Sequence, residues 1–260
     1  MEKIIRTAKE CEIEAMKKLW IECFPKDVEY SEFFFSRIFN LSSARVCVID
    51  DSVVAMLHSF PYDFVTPDGV LSGKYIYGVG TKTEFRSQGL AGELLANEAK
   101  DCDFTVIIPQ SESLFDFYKK HGFCELLYID KTVAKENPKA LTRATASDIE
   151  KINEIYENSC RGFIHPLRTR ERWETIMAEF EFLGGGIFLF DGGYCVAYKN
   201  GDRLEMSELC PLSGGSPFGY DSIALGVGGN VPIGAARLIS ERAKEIFGKA
   251  YGRYMNLMHN

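Results

Sequence analysis

Apolar residues recur along this chain with two periods, near four and near two, and the switches between them mark out its elements. Residues 3–7 read as a short strand. Ile13, Met16, Leu19, Trp20 and Cys23 then share one face of a helix over 12–24, which Pro25 stops. Residues 30–39 keep helical spacing and carry Phe33, Phe34, Phe35 and Phe39. Strands are expected at 46–49 and 53–60 around the turn Asp50-Asp51, with a second turn at Thr66-Pro67-Asp68-Gly69. Residues 75–79 alternate as a half-buried strand does. Leu90, Leu94, Leu95 and Ala99 return to helical spacing, 104–108 (FTVII) is a short buried strand, and a helix carries Tyr118. A last strand at 124–133 completes the order βααβββαβαβ.

The polar run KENPK at 135–139 is the expected linker, and the residues beyond it read as a second copy of the beginning. At an offset of 136 residues, Ala8 meets Ala144, Ile13 meets Ile149, Met16 meets Ile152, Leu19 meets Ile155 and Trp20 meets Tyr156. A helix is expected at 173–182. Strands are expected at 187–190, 194–198 and 203–209, around the turns Asp191-Gly192-Gly193 and Asn200-Gly201-Asp202. Gly234-Ala235-Ala236 reads as the opening of an amphipathic helix to about Phe247, and 251–257 as a final strand.

The chemistry concentrates between the strand at 75–79 and the helix at Leu90. The turn Arg86-Ser87-Gln88-Gly89-Leu90-Ala91 has the form Arg/Gln-x-x-Gly-x-Gly/Ala. The first N–H groups of a helix lack intrahelical partners and carry partial positive charge. Gly89 and Ala91 remove bulk, and Arg86 adds a forked cation. Such a turn suits a diphosphate, with Ser87 and Gln88 as further donors; the same residues also serve a plain strand-to-helix turn. The second-copy segment Val231-Pro232-Ile233-Gly234-Ala235-Ala236 keeps the glycine but has Val231 where Arg86 stands, and Pro232 removes a donor.

The hexad and the segment Tyr118…His121-Gly122-Phe123, whose tyrosine lies 29 residues after Gly89, together resemble the GNAT superfamily of acyl-CoA N-acyltransferases. The wording YIYGVGT and the length resemble the tandem-domain members related to Eis-type acetyltransferases. The resemblance implies an α/β chain with mixed α+β sheets: a GNAT catalytic domain at 1–134, then a degenerate GNAT-like domain at 138–260 that packs on the first and walls the acceptor site. It implies acetyl-CoA as cosubstrate, with its diphosphate on the N–H groups of Ser87, Gln88, Gly89, Leu90 and Ala91 beside Arg86. It further implies that the backbones of Val79 and Thr81 bind pantetheine and polarise the thioester, that Ser113 touches the cofactor arm, and that Tyr118 is the general acid. Many family members place a glutamate where this chain has Tyr75. Eis-type relatives use a terminal carboxylate on a third domain, a role not expected in a chain ending at Asn260. The base stays open between a water relay and Asp27, Glu29 or Glu32.

Other patterns are weaker. Gly78-Val79-Gly80 and Gly226-Val227-Gly228 lack the third glycine of a dinucleotide fingerprint, at Thr83 and Val231. His58, His121, His165 and His259 show no metal-ligand spacing, so no metal is expected. Ser113 has no nucleophile elbow. The net charge of −7 disfavours nucleic acid and tolerates a cationic amine acceptor, small molecule or peptide. No apolar run spans a bilayer. Eight scattered cysteines and no apolar leader lead us to expect a reduced, cytoplasmic protein. Oligomeric state is not legible. The function expected is N-acetyl transfer to a primary amine; the alternative is a CoA-binding sensor or scaffold without turnover.

Overall fold

The computed structural model of the chain describes residues 2–257. The elements of the first part are β1 (Lys3–Thr7), α1 (Ile13–Cys23), α2 (Val28–Arg37), β2 (Ala44–Ile49), β3 (Ser52–Pro61), β4 (Phe64–Thr66), β5 (Gly69–Leu71), β6 (Gly73–Thr81), α3 (Leu90–Glu98), β7 (Phe104–Ile107), α4 (Glu112–Lys119) and β8 (Glu125–Ala134). The second part holds β9 (Thr142–Arg143), α5 (Ile149–Ser159), β10 (Phe163–Pro166), α6 (Arg170–Phe182), β11 (Gly186–Phe190), β12 (Gly193–Asn200), β13 (Arg203–Cys210), β14 (Ser222–Leu238), α7 (Glu241–Phe247) and β15 (Gly252–Arg253). The expected α/β order is present, with the β4–β5 hairpin added about Pro67-Asp68.

The chain forms two compact units that interleave in sequence. The first holds the residues up to Tyr62, Ser72–Glu125 and Ala235–Glu245; the second holds Asp63–Leu71, Leu126–Gly234 and the residues from Ile246 onward. The expected division into 1–134 and 138–260 is linear by comparison.

In the first unit the strand order is β1-β2-β3-β6-β7, followed by the Ala235–Leu238 end of β14. All neighbours are antiparallel except β6 and β7, which pair in parallel over Gly73–Ile76 and Phe104–Ile107. α1 and α2 cover the sheet because their apolar faces need burial. Met16, Leu19, Trp20 and Phe34 are at most 2% exposed and pack with Val46, Val48, Val53 and Met56. The Trp20 and Phe34 rings stack at 4.7 Å. Each such large apolar side chain contributes about 1.5–3 kcal/mol relative to exposure.

In the second unit β13-β12-β11-β9 form an antiparallel sheet, and β15-β10-β4-β5 a smaller one. α5 and α6 bury Ile152, Tyr156, Trp173 and Ile176 against Tyr194 and Val196. Inside this core lies an ion pair: the Arg168 guanidinium donates to both Glu208 oxygens at 2.6 and 2.7 Å. The Tyr194 and Tyr254 hydroxyls donate to the same carboxylate at 2.7 and 2.5 Å, and the guanidinium lies 4.0 Å over the Tyr156 ring. Burial would raise the Glu208 pKa, but the Arg168 charge and the donated hydrogen bonds more than offset it, so the carboxylate sits below its ordinary range.

The internal repeat is visible in three dimensions. A 3-10 turn at Glu10–Glu12 runs into α1, and one at Ala146–Asp148 runs into α5, so both turns and both helices have the same lengths at the 136-residue offset. A carboxylate caps the start of each turn: Glu12 accepts from the Lys9 N–H at 2.7 Å and Asp148 from the Thr145 N–H at 2.9 Å. The strand order β1-β2-β3-β6 recurs as β9-β11-β12-β13. The fourth strand of each set carries one extra residue: Gly78 and Val79 together oppose Leu57, and Ser207 falls between the partners of Val196 and Ala197.

Three expectations are corrected. Gly234-Ala235-Ala236 does not open a helix. These residues lie inside β14, where Ala235 and Ala236 pair with Ile107 and Val106 and are at most 1% exposed. Small residues are demanded there by burial against a neighbouring strand, and the helix start lies later, where the Ser240 hydroxyl accepts from the Ala243 N–H at 3.0 Å. The segment at 135–139 is no free linker: the N–H groups of Asn137 and Lys139 donate to the Ser216 and Pro217 carbonyls at 2.7 and 3.1 Å. The final strand shrinks to Gly252–Arg253, with His259 outside the described residues.

Candidate active site

The turn after β6 folds for local reasons. Ser87 and Gly89 both adopt positive φ, at 62° and 81°, which turns the chain sharply into α3. Gly89 is the residue that precedes the helix, and a Cβ added there would meet nothing within 4 Å. Its absence thus leaves the helix start open. The first helical hydrogen bond runs from the Glu93 N–H to the Gly89 carbonyl at 3.1 Å, so the amides before it have no intrahelical acceptor. An open cradle of amides, free of side-chain bulk, fits a phosphate.

Arg86 stands beside it, exposed, with Nε donating to the Thr81 carbonyl at 3.2 Å. That carbonyl also accepts from Cys23 Sγ at 3.5 Å. The end of β6 and the loop are therefore stitched together. Glu22 caps the Thr83 N–H at 2.7 Å, and that bond lowers its pKa.

A pocket of about 210 Å³ gathers Thr81, Arg86, Ser87, Gly89, Leu90 and Ala91 in one wall, with Phe85, Gly92, Phe117 and His121 completing it. Val79, Gln88, Ser113 and Tyr118 lie outside it. Gln88 Nε2 turns back to the Glu84 carbonyl at 3.4 Å. Val79 lies in the β6 bulge beside Gly78, whose φ of +58° places its α-carbon against Trp20 and His58. β7 ends at Ile107, the partner of Ile76, while β6 runs on to Thr81. The two strands part there, their pairing ending at Ile76 and Ile107. Ser113 is exposed near the start of α4, 3.0 Å from the Ser111 hydroxyl.

Tyr118 lies in the last turn of α4 and is 7% exposed. Its ring meets Phe117 at 5.1 Å and Phe123 at 5.8 Å. Burial pushes its phenol up to about 12, so the hydroxyl stays protonated. No hydrogen bond from the described residues reaches that hydroxyl. The run His121-Gly122-Phe123 closes the helix: Gly122 takes φ +88°, and the N–H groups of His121 and Phe123 return to the Tyr118 carbonyl at 2.9 and 3.2 Å.

No carboxylate stands where a central-strand base would be. Tyr75 fills that place, 2% exposed, with its ring 5.8 Å from Tyr77. Asp27 is half-buried before α2, and Glu29 and Glu32 are exposed on it. Among the described residues no group of three or more His, Cys, Asp or Glu is placed to hold a metal, and no helix is long and apolar enough to cross a membrane.

Residues 4–125 match the model of the acetyltransferase (GNAT) domain family. This segment is a GNAT acetyltransferase domain. Acyl transfer is the chemistry that the family brings to it. No curated protein matches the chain by sequence. Among solved structures, a GCN5-related N-acetyltransferase from Kribbella flavida covers 93% of this chain and 73% of its own at 14% identity and a TM-score of 0.65. One from Anabaena variabilis covers 92% and 73% at 15% identity and 0.67. Eis1 from Mycobacterium abscessus covers 92% and 74% at 10% identity and 0.63. At these identities the likeness is one of fold, and it extends over nearly the whole chain.

Several residues in or behind the GNAT domain's loop pocket were not legible as site residues. Phe117 reaches it from α4 and His121 from the turn that follows α4, and Gly92 admits His121 by lacking a side chain. Trp20 and His58 lie behind the bulge, in an aromatic cluster with Phe34, Phe35 and Phe39. The one local signal was the glycine at 92, within one helical turn of Gly89.

Proposed function

We propose that the GNAT domain moves an acetyl group from acetyl-CoA to a primary amine of a small molecule or peptide. The observation that carries this is the conjunction of an open, glycine-led helix start at Gly89 with the parted edge of β6. The amides of Ser87, Gln88, Gly89, Leu90 and Ala91 hold the diphosphate, with Arg86 as the cation. The main chain of Val79 and Thr81 lies along the parted edge and receives the pantetheine arm, one N–H polarising the thioester carbonyl. Ser113 contacts that arm. The thioester supplies an activated acyl carbon. Tyr118 donates to the departing sulfur, a role that its buried, protonated phenol supports.

An alkylamine has an ordinary pKa near 10.4 and must shed a proton before attack. Water, or a carboxylate of Asp27, Glu29 or Glu32, serves as its acceptor. Tyr75 at the place of the glutamate favours the second reading, a CoA-binding sensor or scaffold without turnover. The division into a catalytic domain at 1–134 and a degenerate GNAT-like domain at 138–260 belongs to the same proposal, supported by the matched turns, helices and strand order. So does a cytoplasmic location, supported by eight free thiols.

The test is turnover. Acetyl-CoA is incubated with a panel of diamines, aminosugars and lysine peptides, and released thiol is followed. Release that depends on the amine supports the enzyme. Tight CoA binding with no release over the whole panel supports the sensor. Absence of CoA binding by calorimetry contradicts both.

A further inference from the structure

His121 faces the phosphate cradle. A Cβ built on Gly92 would lie 2.4 Å from His121 Cε1, 3.0 Å from Nδ1 and 3.2 Å from Nε2. Gly92 is the third residue of α3, so the imidazole lies against the first turn of that helix. The ring and those amides line the same pocket as Arg86. Its position is held on several sides. The His121 N–H donates to the Tyr118 carbonyl at 2.9 Å, and Arg237 Nη1 donates to the His121 carbonyl at 3.4 Å. The ring stands edge-on to Phe117 at 4.8 Å. Arg237 is itself fixed by the Leu95 carbonyl and by the Phe123 ring, 5.1 Å away. A side chain so constrained presents its ring edge at a set place.

We propose that His121 is a second side-chain donor to the cofactor diphosphate, alongside Arg86, and that residue 92 is glycine so that the imidazole can reach it. This rests on the acyl-CoA reading of the loop. An imidazole keeps at least one N–H in either protonation state, so the contact needs no particular charge. It goes beyond the hexad, since it recruits the turn after α4 to the phosphate site and couples that site to the helix that carries Tyr118.

Calorimetric titrations of CoA and of pantetheine, which lacks the diphosphate, test this in the full chain. His121→Phe keeps an aromatic ring beside Phe117 and removes both ring nitrogens. It should weaken CoA about tenfold, the scale of one hydrogen bond to a charged group, and leave pantetheine unchanged. His121→Asn restores a donor and should recover most of that loss. Gly92→Ala should displace the ring and behave as His121→Phe, with apo melting temperatures recorded for all three to score folding apart from binding. Wild-type affinity for CoA in His121→Phe overturns the proposal, as does an equal loss for CoA and pantetheine. Failure of the wild-type chain to bind CoA is a separate outcome: it removes the cofactor reading and this inference with it.

Discussion

The two copies of the strand–helix–strand module solve the same packing problem and part ways at one place. β1, α1, α2, β2, β3 and β6 recur as β9, α5, α6, β11, β12 and β13, and both fourth strands bulge by one residue. In the first copy the bulge uses Gly78 at φ +58°, and the strand leads to a helix opened by Gly89 at φ +81°. In the second the extra residue is Ser207, at negative φ, and the chain leaves β13 through Pro211 and a 3-10 turn at Leu212–Gly214 toward the long strand β14. The cores differ in the same sense. The first is ringed by aromatic side chains around Trp20, whereas the second encloses the Arg168–Glu208 pair with its hydrogen bonds filled. A repeated scaffold thus keeps backbone groups open in one copy and closes its polar groups in the other. Function is expected where the openings are.

The largest expected effect breaks the closed copy. Arg168→Met strands a buried carboxylate and should cost about 3–5 kcal/mol in denaturant titrations. Arg168→Met/Glu208→Leu should cost less than the single change, since no charge is left unpaired. The same pair sets an acid limit. Because the folded pKa of Glu208 is lowered, its contribution is present above the unfolded value near pH 4.3 and is lost as pH falls through the folded value. Stability measured from pH 6 downward should show that loss in wild type and not in the double variant.

The next effect falls on the bulge of the open copy. A Cβ at Gly78 would come within 2.6 Å of Trp20 Cζ3 at a backbone angle costly for any L side chain. Gly78→Ala should therefore cost about 2–4 kcal/mol, the sum of left-handed strain and overpacking. The counterpart Ser207→Ala, free of that strain, should cost under about 1 kcal/mol.

Chemistry comes third. Tyr118→Phe should lower kcat about a hundredfold with little change in the KM for acetyl-CoA, the lower end of general-acid contributions. With the phenol pushed up to about 12, the rate of the wild type should rise as the amine deprotonates and show no Tyr118 limb below about pH 11. A falling limb near pH 9 that disappears in Tyr118→Phe would contradict this protonation state. A smaller effect than at Tyr118 is expected at Arg86, whose exposed side chain adds charge to a cradle built mainly of backbone. Arg86→Ala should weaken CoA by about 1.5–2 kcal/mol, measured by titration at low salt.

Much of this was legible in the residues because it is written locally. Periodicity located α1, α2, α3, α5 and α6 to within a few residues, and the hexad located the turn into α3 because a glycine followed by small and apolar residues marks a helix start. The rest depends on partners far away in sequence. Gly234-Ala235-Ala236 looks like a helix opening by composition, yet smallness there answers to Ile107 and Val106 across a ladder. Arg168 and Glu208 stand 40 residues apart, and neither carries a local sign of its partner. Gly92 in α3 and His121 in the turn after α4 stand 29 residues apart, so the ring in the pocket could not be foreseen from either segment alone.

The central claim is that the helix start at Gly89 is a phosphate cradle and no mere turn. Titration of CoA into wild type and Gly89→Val tests it most directly. The valine has room in the fold, since nothing lies within 4 Å of a Cβ there, but it fills the mouth of the cradle and resists the φ of +81°. The account predicts that wild type binds one CoA per chain and that affinity drops by at least about tenfold in Gly89→Val, with the apo protein still folded. Equal affinity in the two proteins would contradict it.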